Sequence, residues 1–200
     1  MKYNDVKTPE QLLKYMNDNI NYGFVDDNEK KYGPWNNQEF QENCQTKWHL
    51  SDPKRLIEVG YGHCWDQVEL ERDWFKTHNY NFKTFYIWFE LPYDNSYSTH
   101  TYLVFERDKK YYYFEHSDFN NRGIYEFETY QDAIRYQKEK HIENNKQRNS
   151  IDDEILNYLR IYEYNEPTYG CTMNEFINDI LKNAKEITDK INIRKISYVK

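Results

Sequence analysis

The sequence has no long apolar run, no excess of basic charge, little glycine and only three cysteines, and each shortage removes a class of protein. No stretch approaches the ~20 apolar residues of a membrane-crossing helix. The opening residues MKYNDVKTPEQLL lack the apolar core of a secretory signal. The expectation is a cytoplasmic protein with no membrane partner. Lysine and arginine number 27 against 34 acidic residues, a formal net charge of -7, and the basic residues are scattered. Without a basic stripe to follow a phosphate backbone, nucleic acid is not an expected partner, and the acidic balance disfavours anionic lipid surfaces. Cys44, Cys64 and Cys171 are odd in number and lack metal-type spacing. In a cytoplasmic protein they are reduced thiols. No metal and no cofactor is expected.

What is present fits one domain of 200 residues, with a core over about 8–137 and a helical extension over about 150–200. Thr8-Pro9-Glu10 opens a helix that ends near Asn19, and Tyr22 to Val25 leads into a polar loop. Ser51-Asp52-Pro53 opens a second, short helix through Leu56 and Ile57. Val59 to His63 reads as a loop with two glycines, and Cys64 to about His78 as a helix that Asn79 and Asn81 terminate. Residues 82–91 (FKTFYIWFEL) are almost continuously apolar, as in a central strand covered on both faces. Thr99–Arg107 and Tyr111–Ser117 form a hairpin around Asp108-Lys109. Helix signals return after Thr129, Ser150 and Thr172. The class is α+β.

Gly62-His63-Cys64-Trp65-Asp66 places a cysteine in the first turn of a helix, behind a glycine-bearing loop. There the sulfur lies near backbone N–H groups that lack helical partners and near the positive end of the helix dipole. Both favour the thiolate, the nucleophilic form. The same N–H groups suit an oxyanion forming on an attacked carbonyl. A cysteine at a helix start, taken alone, is more often a packing residue.

His100 and Glu115 change that balance. With Asp108 and Lys109 in the turn, His100 stands opposite Ser117, and Glu115 lies two residues along on the same face. A carboxylate there can accept the imidazole N–H, fix its tautomer and leave the other nitrogen for the thiol. Cys64, His100 and Glu115 are therefore the expected nucleophile, base and orienting acid, with His116 on the opposite face. Asp66 is expected to bind local N–H groups. Tyr22, His63 and Trp65 are candidates for the cleft wall or oxyanion site, with plain packing the competing role. A zinc site built from Cys64, His63, His100 and His116 would need adjacent ligands and a histidine from the wrong face. Tyr111-Tyr112-Tyr113 reads as strand and core aromatics, and Cys44 and Cys171 as structural.

Residues 59–115 resemble the transglutaminase-like superfamily: a Gly-x-Cys helix start, a histidine opening a β-hairpin, then an acid on the returning strand. The matching pieces are Gly62-His63-Cys64-Trp65-Asp66, His100-Thr101-Tyr102, and Asp108 through Glu115, with Glu where Asp is commoner. The runs GHCWDQVELERDWF, FKTFYIWFE, YYYFEHS and YEYNEPTYGC are similar to small bacterial or phage transglutaminase-domain proteins. The resemblance implies a papain-like fold, a nucleophile helix packed on an antiparallel sheet. It also implies acyl chemistry through a Cys-His-Glu triad, as peptide or amide hydrolysis or as acyl transfer. The substrate would be a peptide, protein or small-molecule amide. The alternative is a catalytically idle papain-fold binding module, working in phage or bacterial defence, that holds a protein or small molecule in the Cys64 cleft. No loop suited to calcium is identifiable.

Overall fold

A computed structural model describes residues 2–91, 96–146 and 155–188. Thr8 caps α1 (Pro9–Asn19) by accepting the Gln11 N–H, Pro9 takes the first helical position, and Leu12, Tyr15 and Met16 are buried. Two short strands follow, β1 (Asn21–Tyr22) and β2 (Phe24–Val25), the latter paired antiparallel with β3 (Lys31–Tyr32). The segment expected to be a polar loop then becomes helical. In α2 (Asn37–Lys47) only Phe40 and Cys44 are buried among 11 residues, too few to mark a helical period. Asp52 caps α3 (Pro53–Val59), which ends at Gly60 in the left-handed region, φ 69°. β4 (Tyr61–Gly62) pairs parallel with β1 and brings Tyr22 beside the loop before Cys64.

Next come α4 (Cys64–Thr77), β5 (Asn81–Leu91), β6 (Ser96–Arg107), β7 (Lys110–Glu115) and β8 (Gly123–Phe127). The chain continues through α5 (Tyr130–Lys146), β9 (Leu159–Tyr164), α6 (Met173–Asn183) and β10 (Lys185–Glu186). One six-stranded antiparallel sheet runs in the order β10-β9-β5-β6-β7-β8. The chain is thus a mixed helix-and-sheet protein with β5 and β6 at the sheet's centre.

The expected helical extension over about 150–200 is corrected here. β9 lies against β5, from Thr84 paired with Tyr164 to Phe89 paired with Leu159, so this segment completes the sheet. Leu159, Ile161, Tyr162 and Tyr164 are buried strand-forming residues, while the start of the helix expected after Ser150 falls on residues 151–154, outside the described residues. The helix expected after Thr172 is α6, with a capping box between Thr172 and Glu175. Residues 189–200 lie outside the described residues.

Asp108 (φ 53°) and Lys109 (φ 63°) both take left-handed backbone, the two-residue turn that matches strand twist. The register runs from Arg107 opposite Lys110 to Leu103 opposite Phe114, as the sequence predicts. On one face Leu103, Phe105 and Phe114 pack with Leu70, Trp74 and Phe75 of α4. On the other, Tyr102, Val104 and Tyr113 pack with Ala133 and Ile134 of α5. Trp74 and Phe75 are completely enclosed, and truncating such a side chain to alanine costs about 3–5 kcal/mol. That packing fixes α4, and with it the position of Cys64.

Candidate active site

The start of α4 is pinned by Asp66. Its Oδ2 accepts the His63 N–H at 2.7 Å and the Trp48 Nε1–H at 2.9 Å, while Oδ1 accepts the Ser51 N–H at 2.7 Å. One buried carboxylate therefore ties the helix to the segment before α3; of its three donors only the His63 N–H is local, so its reach is longer than the local contacts expected of it. Burial lifts its pKa to about 6 despite those donors. A Cβ on Gly62 would come within 2.6 Å of Leu56 Cδ1 and 3.1 Å of Asp66 Cβ, so a larger residue there would make the Leu56 side chain move.

Cys64 is 2 % exposed. Its Sγ lies 3.3 Å from His63 Nδ1. The His100 imidazole is near enough for its charge to act on the sulfur, and the sulfur's on it. His100 Nε2 lies 2.7 Å from Glu115 Oε2, leaving Nδ1 as the nitrogen for the sulfur. Glu115 accepts further from the Tyr113 hydroxyl, from Ser117 Oγ at 3.1 Å and from the Asp118 N–H at 2.8 Å. His100 and Glu115 are thus paired directly, Cys64 lies within their electrostatic reach, and all three are buried.

Their electrostatics follow. Burial pushes the Cys64 thiol up, but the imidazoles of His63 and His100 outweigh it and bring its pKa to about 5. Burial opposes the charge on His100, yet Glu115 and the sulfur raise its pKa well above the ordinary imidazole value. Burial would likewise raise Glu115, but His100 and the surrounding donors hold it at about 2. All three shifts run in the same sense, favouring the ionised thiol, the protonated imidazole and the ionised carboxyl.

Strand alternation puts His100 and Glu115 on the α5 face of the sheet, with Tyr102 and Tyr113. α4 lies on the other face. They meet because Cys64 is at the very start of α4 and because β6 and β7 are no longer paired beyond Leu103 and Phe114. His116 points away, its Nδ1 2.6 Å from Gln67 Oε1, and burial with the nearby Arg122 guanidinium lowers its pKa to about 3. Asp118 caps the short turn Phe119–Asn121 and accepts from the Asn121 and Asn144 side-chain amides. Its carboxylate does not touch His100; only its backbone N–H reaches Glu115.

Tyr22 sends its hydroxyl to within 3.1 Å of His63 Nε2. Trp65 is a core residue stacked on Phe176 with ring centroids 4.5 Å apart. One site residue escaped the sequence reading. Glu71, two turns along α4 from Cys64, is buried with Oε2 lacking a hydrogen-bond partner among the described residues. Burial and the neighbouring Glu115 raise its pKa well above the usual carboxylate value. A carboxylate on an otherwise apolar helix face was the only signal.

A polar cavity of about 480 Å³ lies elsewhere, lined by residues including Asp26, His49, Asp52 and Arg55, and Cys64 does not border it. Among the described residues no cluster of three or more His, Cys, Asp or Glu side chains is arranged to hold a metal ion. In the same residues no helix is long and apolar enough to cross a membrane. Comparison with protein-family models, curated proteins and solved structures gave no match.

Proposed function

We propose that the protein is a cysteine-dependent acyl-group enzyme of the transglutaminase-like, papain-fold type, acting on a peptide, protein or small-molecule amide. One observation carries this reading: a buried thiol at a helix start is favoured as thiolate by neighbouring imidazoles, one of them, His100, with Nε2 2.7 Å from a buried carboxylate. A packing cysteine needs no such partner, and Glu115, which also anchors Tyr113, Ser117 and the Asp118 N–H, places a buried negative charge against His100.

The Cys64 thiolate attacks the carbonyl carbon, a C–S bond forms, and the carbonyl π pair moves to oxygen. The first N–H groups of α4, which have no helical partners, face developing negative charge at this end of the helix. As the oxyanion collapses, the bond to the leaving group breaks and His100 Nδ1 delivers its proton to that group. Glu115 stabilises the imidazolium and keeps the ring in register. Water then gives hydrolysis, and an amine or hydroxyl gives acyl transfer.

The 2 % exposure of Cys64 favours the alternative, an idle papain-fold binding module. Intact-mass analysis after incubation with p-nitrophenyl acetate separates the two. The enzyme reading expects one acetyl group on Cys64, absent in Cys64→Ser. No adduct, or one on Cys44 or Cys171, refutes it.

A further inference from the structure

Cys64 has two imidazole partners, and a triad needs one. His100 is enclosed, 8 % exposed and held by Glu115, and the sulfur is 2 % exposed. His63 and Tyr22, by contrast, are half-buried, so they are the members of this group that reach solvent. A molecule coming from outside to attack a thioester on Sγ meets His63 before His100.

His63 is also firmly placed. Its Nδ1 is 3.3 Å from Sγ and its Nε2 3.1 Å from the Tyr22 hydroxyl. Its ring lies parallel to Phe40 with centroids 6.2 Å apart and edge-on to Trp65 at 5.3 Å. Its backbone N–H is bound by Asp66. A side chain kept only for packing does not need both ring nitrogens engaged, one of them by the nucleophile.

On the basis of the acyl-enzyme reading above, we infer that His63 is a second catalytic acid–base, the one that deprotonates the acceptor in the second half-reaction. The Tyr22 hydroxyl can donate or accept, so it supports either tautomer of His63. With the proton on Nε2 and directed to the Tyr22 oxygen, Nδ1 offers its lone pair. An acceptor H–X forms its X–C bond while Nδ1 takes the proton. The carbonyl re-forms, the C–S bond breaks, and its electron pair returns to sulfur.

One proton has then left on the leaving group, from His100, and one has arrived on His63. The sulfur lies 3.3 Å from His63 Nδ1 and within the electrostatic reach of His100, so in this cycle it takes the proton from His63 Nδ1 and passes it to His100 Nδ1. The cycle closes without an outside acid. Burial and the neighbouring thiolate keep the Tyr22 pKa well above the usual phenol value, so its hydroxyl stays neutral throughout.

The test follows decay of acetyl-Cys64 formed with p-nitrophenyl acetate, by intact mass, as a function of pH. His63→Gln should slow the decay by ~10²-fold or more, and hydroxylamine, a strong nucleophile needing little base assistance, should restore it. His100→Gln should depress formation of the acetyl-enzyme heavily and its decay by less than ~10-fold. Tyr22→Phe preserves the ring packing and should shift the pH profile of decay. Decay that depends on His100 but not on His63, or a Tyr22→Phe profile unchanged from wild type, overturns the assignment. If wild type forms no acetyl-Cys64, the acyl-enzyme reading itself fails, and this inference with it.

Discussion

Replacing His100 by glutamine should move the titration of the Cys64 thiol towards neutrality. In the intact site its pKa is about 5 against an ordinary 9, which corresponds to about 5 kcal/mol in favour of the thiolate. Burial works in the opposite direction, so the two imidazoles together supply all of that preference and offset the desolvation as well. An even split between the two imidazoles makes the loss roughly half, and the midpoint should then rise by about two pH units. At about pH 6 the thiolate fraction then falls from near nine-tenths to near one-tenth. The assay is the ultraviolet absorbance of the thiolate, recorded against Cys64→Ser as the blank, so that access of a reagent to the buried sulfur is not required. Cys44 and Cys171, pushed up to about 12 and about 11 by burial, stay silent in that range. A wild-type midpoint near the ordinary thiol value would refute the imidazole contacts. An unchanged midpoint in His100→Gln would refute the partnership with His100.

Glu115→Gln should keep the fold yet slow acylation by at least ~10-fold, because an amide cannot stabilise the imidazolium; Asp118→Asn, whose parent touches only amides and its own turn, should be much milder in the same assay. The pKa of Glu115 is depressed from 4.5 to about 2, so its stabilising contribution is present above the unfolded value and lost as pH falls through the folded one. The stability advantage of wild type over Glu115→Gln in urea unfolding, about 3 kcal/mol from that difference, should therefore shrink between about pH 4.5 and 2; a constant advantage would contradict the ion pair. Asp66→Ala strands three N–H donors and should lower stability by about 3 kcal/mol or more, read by chemical denaturation. Gly60→Ala, forced to a φ of 69° at the end of α3, should cost about 1 kcal/mol in the same measurement.

Several features were decided within a few residues and were legible without tertiary context. Thr8-Pro9 starts α1 and Cys64 stands at the first position of α4. Asp108 and Lys109 set a two-residue turn, and because strand alternation is strict, that turn also put His100 and Glu115 on one face and His116 on the other. These are short-range rules of capping, period and turn geometry, and they need no knowledge of what packs where.

Other features depend on surfaces far apart in the chain. β9 became a sheet strand because β5 offered it an unpaired edge, and α2 formed with only two buried residues because Phe40 and Cys44 found the aromatic cluster around Trp48 and Trp65. The meeting of Cys64 with His100 lay beyond the reach of sequence alternation, which puts the histidine on the sheet face opposite α4. It occurs because β6 and β7 part beyond Leu103 and Phe114, level with the end of the helix. The bridge from Tyr22 through His63 to the sulfur has the same origin. Nothing local links residue 22 to residue 63; the pairing of β1 with β4 brings them together. Periodicity and caps fix which face a side chain takes, whereas contacts between faces depend on where strands diverge and helices end, and that is settled only when the whole chain packs.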